Sequence, residues 1–328
     1  MRVCYFIQAH NYPDQIYQLV KTIKRGSPNS VVIIGYDCTH SSIEMEPIQH
    51  LSDVYLLTGN FPIRRGEFSI LRPYLNAVDW LLEKEIEFDW LAYLSGQDYP
   101  IKPLEEIENY LAKAEYDGFL QYYNVLSEQS HWSIEEGKTR YFTQYYWTLP
   151  ISKNPLLEKV ICRAKYLIEK LKSRFHQFGL PTLLPSKVLF TYANTIRLGL
   201  IAKKSPFNNN FTCYGGNHRH FLSRKCLVYL KDYINHHQDL VKYYEKTELP
   251  EESFVQTVLV NSGLFNFYNH HQIYDDYKMG SVNGHPKTLT LEDYPKLIQS
   301  DCFFARKFEA NSSVLDLLDE HFLVPVNS

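Results

Sequence analysis

The chain lacks the sequence features of several large protein classes. Its 328 residues contain no apolar run long enough to span a bilayer, and Met1 leads into a strand-like segment without a signal-peptide pattern. The net charge of −3 argues against nucleic-acid binding through bulk charge. The six cysteines form no Cys-x-x-Cys pair and no zinc pattern with histidine. They are Cys4, Cys38, Cys162, Cys213, Cys226 and Cys302.

Several of these cysteines lie in apolar segments, as buried thiols do. We therefore expect a globular protein of the reducing cytoplasm. Peripheral contact with the inner face of a membrane stays open. A strongly helical, basic pattern at 156–175 would supply such a contact, but it also fits a solvated helix face.

The common nucleotide-binding signatures are also missing. No dinucleotide glycine fingerprint follows Gln8, and no phosphate loop occurs, which argues against a nicotinamide enzyme and a P-loop kinase. Most nucleotide-sugar transferases hold a divalent metal with an Asp-x-Asp motif just after a buried strand. In this chain the residues at the equivalent place are Ser95-Gly96-Gln97-Asp98. Glu87 and Asp89 have the right spacing for a metal pair, although they precede that strand.

The first third of the chain alternates strand and helix patterns. Apolar runs predict buried strands at 3–8, 31–35, 54–57 and 90–94. Helical spacing predicts helices at 13–23, 69–83 and 104–112. Further along we expect a strand at 211–214, a helix at 223–236 and another after Pro250.

This alternation predicts an α/β fold with a Rossmann-like, mostly parallel sheet flanked by helices. The ligand is then expected at the carboxyl edge of the strands. We interpret the chain as one domain, 1–328, with a nucleotide-binding half at 1–120 and an acceptor-binding, catalytic half at 121–328.

Two charged segments could carry chemistry. Arg306 and Lys307 lie between aromatic residues, which fix side chains and lower the local dielectric, so an anion would be held strongly there. The alternative is a solvated basic pair with apolar flanks in the core. Glu252, after Pro250-Glu251, is a candidate general base. Proline and two glutamates are equally typical of an ordinary helix start.

Two polar clusters are further candidates. The residues Gly216, Asn217, His218 and Arg219 fit hydrogen bonding to a sugar, or a tight turn before a helix capped by Ser223. Ala9, His10 and Asp37 follow the first two strands at the expected nucleotide edge, although a single histidine there is more often structural.

These segments, taken in order, resemble the family of Core-2/I-branching β-1,6-N-acetylglucosaminyltransferases and peptide O-xylosyltransferases, which has many bacterial members. The matching pieces are Ile7-Gln8-Ala9-His10, Arg65-Gly66 with Leu71-Arg72, Leu94-Ser95-Gly96-Gln97-Asp98-Tyr99-Pro100, Pro250-Glu251-Glu252-Ser253-Phe254 with Gln256-Thr257, His285-Pro286-Lys287-Thr288-Leu289, and Phe304-Ala305-Arg306-Lys307-Phe308. They span nearly the whole chain.

The resemblance implies a GT-A fold, inversion at the anomeric carbon and catalysis without an obligatory metal or other cofactor. It implies that Glu252 is the base and that Lys307, beside Arg306, holds the diphosphate of a UDP donor. Ala9-His10 and Asp98-Tyr99-Pro100 would border the nucleotide.

The chain departs from the family where aromatic residues are replaced by Arg219 and His220. A second diphosphate cation has no clear match, and Lys287 is one alternative.

We therefore expect transfer of xylose or N-acetylglucosamine to a glycan or glycoconjugate acceptor in bacterial surface-glycan synthesis. Two other readings remain open. One is a metal-dependent transferase that uses Glu87 and Asp89. The other is a non-catalytic glycan-binding protein that retains the fold and binds through its aromatic residues, which make up 15% of the chain.

Overall fold

The computed structural model describes residues 1–39, 41–59, 63–130, 132–150, 188–191, 195–277 and 286–323. The strands in these ranges are β1 (Val3–Ala9), β2 (Val31–Tyr36), β3 (Val54–Thr58), β4 (Trp90–Ser95), β5 (Asp98–Pro100), β6 (Gly118–Phe119), β7 (Tyr123–Asn124), β8 (Thr143–Pro150), β9 (Val188–Thr191), β10 (Thr195–Ile201), β11 (Tyr214–Gly215), β12 (Phe221–Ser223), β13 (Phe267–Tyr268), β14 (Ile273–Asp275) and β15 (Phe304–Arg306). The helices are α1 (Pro13–Gly26), α2 (Arg72–Glu83), α3 (Leu104–Lys113), α4 (Ile134–Tyr141), α5 (Arg224–His236), α6 (Gln238–Tyr244), α7 (Phe254–Asn261), α8 (Tyr294–Gln299) and α9 (Ser313–Leu323).

The strands and helices predicted in the first third are confirmed, with small shifts at their ends. The helix predicted at 69–83 begins later, because Phe68–Ile70 forms a 3-10 turn and Pro73 takes the first turn of α2. The strand predicted at 211–214 shrinks to β11, and the helix after Pro250 starts as a 3-10 turn before α7. The basic helix predicted at 156–175 lies outside the described residues.

The main sheet has the strand order β13-β6-β12-β4-β1-β2-β3. Strand β1 pairs in parallel with β2 and β4, and β2 pairs in parallel with β3. Strand β12 runs antiparallel to both of its neighbours. The α/β fold with a mostly parallel sheet is thus confirmed. Because the strand order reverses between β1 and β4, a crevice is expected at the carboxyl ends of these two strands.

Helices cover both faces of this sheet and explain why its central strands are continuously apolar. One face of β1 (Val3, Tyr5, Ile7) packs with α1, α3 and α9 in a single buried cluster. The opposite face (Cys4, Phe6) packs in a second cluster with α2, α5 and α7. Strand β1 is therefore rigid where it delivers Ala9 and His10 to the carboxyl edge.

Smaller sheets are built around that edge. One has the order β14-β15-β5, a second pairs β11 with β7, and a third has the order β8-β10-β9. The first of these places Arg306 directly opposite Asp98 and beside Asp275. Within the described ranges, no helix has both the length and the apolar character needed to cross a membrane.

Candidate active site

Ala9, His10 and Asp37 come together at the carboxyl edge, as their positions after β1 and β2 predict. The backbone N–H of Asp37 donates to the carbonyl of Ala9 at 3.0 Å. The carboxylate of Asp37 is buried and accepts from the N–H of Thr39 at 2.9 Å and of Ile63 at 3.3 Å. Asp37 therefore shapes the loop at the end of β2, while His10 is exposed to solvent there.

A cleft of about 410 Å³ opens beside Asp37, at the ends of β2 and β3. Its walls include Tyr36, Leu57, Pro73 and Trp80, with Arg72 at the rim. A cavity of this size, with apolar walls and few polar groups, suits a flat ring such as a nucleobase.

Asp98 joins two arginines in a buried cluster. Its carboxylate accepts from Arg219 Nε at 2.9 Å, and Arg306 Nε lies 3.5 Å from its other oxygen. The N–H and hydroxyl of Ser95 also donate to Asp98, at 2.8 and 2.7 Å. Asp98 is 1% exposed, so it acts by holding the arginines and not as a surface ligand.

This cluster places two guanidinium groups around Asp98, and Asp275 is a second carboxylate near Arg306. Burial and the neighbouring Arg219 both lower the pKa of Arg306, because two guanidinium groups share one close carboxylate. Among the described residues, Arg306 Nε has no hydrogen-bond partner. An anion bound here would relieve the repulsion between the two arginines.

Lys307 extends the cationic cluster to the edge of the main sheet. The next residue, Phe308, donates its N–H to Gln97 at 3.0 Å and accepts from the side chain of Gln15 at 3.0 Å. Gln97 directly follows Gly96, whose N–H donates to the carbonyl of Gln8 in β1. The half-buried Lys307 therefore lies beside the crevice between β1 and β4.

Lys287, the alternative second cation, has a different partner. Its ammonium group donates to both carboxylate oxygens of Asp293, at 2.7 and 2.9 Å. Asp293 is buried, so this ion pair holds the segment before α8 in place. Arg219 fits the position of a second diphosphate cation better than Lys287 does, because Arg219 and Arg306 both contact Asp98.

Gly215 and Gly216, which precede Asn217, lie where close packing leaves no room for a side chain. A Cβ on Gly216 would lie 2.0 Å from the carbonyl oxygen of Gln121, and one on Gly215 would lie 2.5 Å from Trp132. The N–H of Gly216 donates to the carbonyl of Glu252 at 2.8 Å. The turn is thus fixed directly against the candidate base.

Asn217, His218 and Arg219 form a hydrogen-bonded chain that leads from this turn to Asp98. The amide oxygen of Asn217 accepts from the N–H of Arg219 at 3.1 Å, and Arg219 Nη1 lies 2.8 Å from His218 Nε2. Burial and Arg219 lower the pKa of His218, so its ring is neutral. Since a guanidinium only donates, His218 accepts at Nε2 and carries its proton on Nδ1.

Arg219 is 4% exposed, which makes it a positioning residue, whereas Asn217 and His218 remain half-buried and within reach of a ligand. Ser223 occupies the first position before α5, but its side chain makes no capping hydrogen bond to the backbone.

Glu252 is held by Arg140, a residue that the sequence patterns do not indicate. Arg140 Nη1 donates to Glu252 at 2.8 Å, and Arg140 Nη2 donates to Glu136 at 2.6 Å. The guanidinium stacks on Trp132, 4.1 Å from the ring centroid. Burial raises the pKa of Glu252, and Arg140 opposes this shift. Glu252 is therefore a fixed, partly exposed carboxylate of increased basicity, which suits a general base.

Glu251 points away from solvent. It is 4% exposed, and its Oε2 has no hydrogen-bond partner among the described residues. Burial, followed by the charge of Glu252, raises the pKa of Glu251 to about 8. Glu251 therefore keeps its proton at neutral pH, whereas Arg140 favours the charged form of Glu252 by lowering its pKa against the effect of burial.

Charges of both the candidate base and the arginines act on Tyr277, whose side chain is about half exposed. Burial raises the pKa of its phenol, and the charges of Arg306, Asp275, Arg219 and Glu252 also act on it. The backbone supplies the contact between the two parts, because Gly216 donates to the carbonyl of Glu252 and Arg219, three residues further on, donates to Asp98 beside Arg306. The patterns of the sequence give no signal for Tyr277.

Glu87 and Asp89 lie at the other edge of the sheet. Asp89 precedes β4 and accepts from the N–H of Arg2, at the start of β1, at 2.6 Å. The length of β4 separates this edge from Ser95 by roughly 20 Å. The pair therefore cannot contact a diphosphate at the carboxyl edge. Within the described part of the chain, no three His, Cys, Asp or Glu side chains are grouped to hold a metal ion.

If Glu252 is the base, replacing Arg140 with Lys should lower the turnover number of the base-catalysed reaction about tenfold. The acidic limb of the pH–rate profile should move to higher pH. Arg140 lowers the pKa of Glu252, so a weaker contact lets that pKa rise, and the base form then appears at higher pH. Lys138→Met on the same helix is the control, since Lys138 pairs with Glu135 at the surface. A smaller turnover with an unshifted profile would make Arg140 merely structural.

Replacing Glu251 with Gln should stabilise the protein, increasingly at higher pH. Between the usual pKa of 4.5 and the folded value of about 8, the folded state keeps a proton that the unfolded chain releases. Stability therefore falls as pH rises through this window, by up to about 1.4 kcal/mol per unit. Denaturant unfolding of both proteins from about pH 5 to about pH 8 measures the difference. Parallel pH dependences would show that Glu251 is not protonated in the folded state.

No protein-family model matches the chain, and no curated protein matches it. Among solved structures, the galactosyltransferase LgtC in complex with donor and acceptor sugar analogs is 7% identical, with a TM-score of 0.36 over 98% of this chain and 96% of that chain. Staphylococcus aureus TarS 1–349 in complex with UDP-GlcNAc is 13% identical, with a TM-score of 0.28 over 37% of this chain and 34% of that chain.

Glucosyl-3-phosphoglycerate synthase from Mycobacterium tuberculosis, in complex with Mn²⁺, UDP and phosphoglyceric acid, is 16% identical, with a TM-score of 0.26 over 37% of this chain and 41% of that chain. Since the chain spans well under half of TarS and of this synthase, and the scores are low, the similarity carries no conclusion about activity. The α/β fold is established by the strand order and pairing of the main sheet in this chain.

Proposed function

We propose that the chain is an inverting glycosyltransferase of GT-A type. It transfers xylose or N-acetylglucosamine from a UDP donor to a hydroxyl of a glycan or glycoconjugate acceptor, in cytoplasmic synthesis of bacterial surface glycan. The observation that carries this proposal is the turn at 216–219, which contacts the carbonyl of the candidate base Glu252 at one end and joins Arg219 to Asp98 and Arg306 at the other.

The chemistry follows from these two parts. Glu252 takes the proton of the acceptor hydroxyl, and the acceptor oxygen forms a bond to the anomeric carbon from the face opposite the diphosphate. The bond from that carbon to the phosphate oxygen breaks, and UDP leaves with the bonding electron pair. One displacement of this kind inverts the anomeric centre. Arg306 and Lys307 stabilise the charge that develops on the leaving diphosphate.

Donor and acceptor then occupy different parts of the site. The nucleoside lies in the cleft beside Asp37, with Ala9 and His10 at the border of the diphosphate. Asn217 and His218 face the sugar, and Gly216 keeps this turn against Glu252. Asp98 and Arg219 act on the diphosphate through Arg306.

A reaction without an obligatory metal is part of the proposal. In metal-dependent enzymes of this architecture, a carboxylate after the buried strand binds the cation that neutralises the diphosphate. Here the corresponding carboxylate, Asp98, already accepts hydrogen bonds from Ser95 and Arg219. Protein cations supply the compensating charge at the same place.

A screen of UDP sugars for donor hydrolysis and transfer, with and without excess chelator, tests the proposed function. We expect turnover of UDP-xylose or UDP-N-acetylglucosamine that survives the chelator. Loss of turnover with chelator would contradict the metal-independent mechanism. An absence of affinity for every UDP sugar, together with binding to free oligosaccharide, would instead identify a glycan-binding protein.

A further inference from the structure

The β8-β10-β9 sheet exposes an apolar surface next to the site. Four large side chains there are exposed: Tyr146 by 51%, Trp147 by 60%, Leu200 by 39% and Ile201 by 71%. Ile201 follows Leu200 in β10 and lies on the opposite face of the strand, so we call Tyr146, Trp147 and Leu200 the aromatic patch. Neighbouring exposed apolar side chains on a soluble domain are typical of an interaction surface.

A β-bulge produces the patch. The pairing of β10 with β8 jumps from Leu198 opposite Trp147 to Gly199 opposite Tyr145, which leaves Tyr146 as the extra residue. A bulge interrupts the alternation of side chains, so Tyr146 and Trp147 are both exposed although they are consecutive. Their rings lie 5.9 Å apart. Leu200, two residues from Leu198, lies on the same face as Trp147.

The surroundings of the patch are basic. Lys246 lies 5.1 Å from the centroid of the Tyr146 ring, and the exposed Lys203 and Lys204 follow β10 after one intervening residue. No acidic residue occurs at 142–150 or 195–210, and Glu245, which precedes Lys246, is paired with Arg72. Tryptophan and tyrosine beside aliphatic side chains and lysines match the interface of an anionic membrane, where rings sit among the headgroups and lysines reach the phosphates.

The patch is linked rigidly to the candidate catalytic edge. Strand β8 begins three residues after Arg140, which holds Glu252. Arg197 in β10 is buried and donates to the carbonyls of Gly66 and Thr247, at 2.8 and 3.1 Å. The patch therefore belongs to the same packed unit as Arg140 and Glu252.

We propose that the aromatic patch, together with Lys203, Lys204 and Lys246, docks the protein on the surface of an anionic membrane. Aliphatic Leu200, on the same face as Trp147, favours lipid over a glycan, because sugars stack on flat rings and gain little from branched aliphatic chains. Membrane docking is independent of the proposed chemistry, since it can be measured without any sugar nucleotide.

Flotation of the full chain with vesicles tests this docking. One set contains phosphatidylcholine alone, and the other contains about one third phosphatidylglycerol. We expect binding to the anionic vesicles only, and release at high salt. The variants Tyr146→Ser with Trp147→Ser, and Lys203→Glu with Lys204→Glu, should each bind at least about tenfold more weakly. The paired control, Leu264→Ser with Lys113→Glu, changes an exposed leucine and an exposed lysine elsewhere and should bind as the unchanged protein does.

Several outcomes would overturn the proposal. One is no binding to anionic vesicles, and another is equal binding by the charge-reversed variant. A third is binding of an uncharged oligosaccharide at Tyr146 and Trp147 without binding to vesicles. Thermal unfolding of the serine variant several degrees lower would show that the chain itself covers the rings. In that case the Lys203→Glu, Lys204→Glu variant still tests the proposal, because both positions are exposed and their replacement does not disturb packing.

Discussion

Replacement of Glu252 by Gln is expected to lower sugar transfer by about a thousandfold or more while leaving UDP affinity within about twofold. The amide keeps the size of the side chain and its contact with Arg140, but it cannot take the proton of the acceptor. Transfer rates and calorimetric titration with UDP measure the two quantities separately.

Glu136→Gln is the matched control, because Glu136 is the other carboxylate bound by Arg140 and is more exposed than Glu252. We expect this variant to transfer sugar within a few fold of the unchanged protein. Near-normal turnover by Glu252→Gln would exclude Glu252 as the base, whereas loss of UDP binding would indicate a damaged site.

Replacement of Lys307 by Ala is expected to weaken UDP binding by roughly tenfold to a hundredfold, the contribution of one charged hydrogen bond to an anion. Binding of uridine, which has no phosphate, should be unchanged. The comparison of UDP with uridine in the same variant separates loss of a phosphate contact from general damage to the cleft.

Lys102→Ala provides the control for this variant. Lys102 is also half-buried and lies beyond the opposite end of the small sheet formed by β5 and β15. We expect its affinity for UDP to be unchanged. An unaltered dissociation constant in Lys307→Ala, or equal losses for UDP and uridine, would remove Lys307 from the diphosphate.

The central strands could be predicted from the sequence because both of their faces are buried, which leaves continuous apolar runs such as 31–35. Strands β7, β11 and β13 are two residues long, and their pairing depends on contacts distant in the chain. No local periodicity exists for segments of this length.

In the candidate site, too, some residues could be located from the sequence and others could not. Asp37 and Asp98 could be located because each follows a strand, but the partners of Asp98 and Glu252 lie 121 and 112 residues away in the chain. Arg140 in particular belongs to a short helix that looks like a solvated one. Local periodicity alone does not distinguish Glu251 from Glu252, because both occupy one 3-10 turn. The family resemblance assigns the base role to Glu252, and only the fold decides which carboxyl is buried.

In the proposed reaction, Arg306 and Lys307 take the place of a metal ion at the diphosphate. A crystal structure of the protein grown with UDP and Mn²⁺ tests this most directly, with anomalous scattering used to locate manganese. We predict that the phosphate oxygens lie within hydrogen-bonding distance of Arg306 and Lys307, with no manganese between them and the protein. Phosphates bridged to the protein through manganese, or located away from these two side chains, would contradict it.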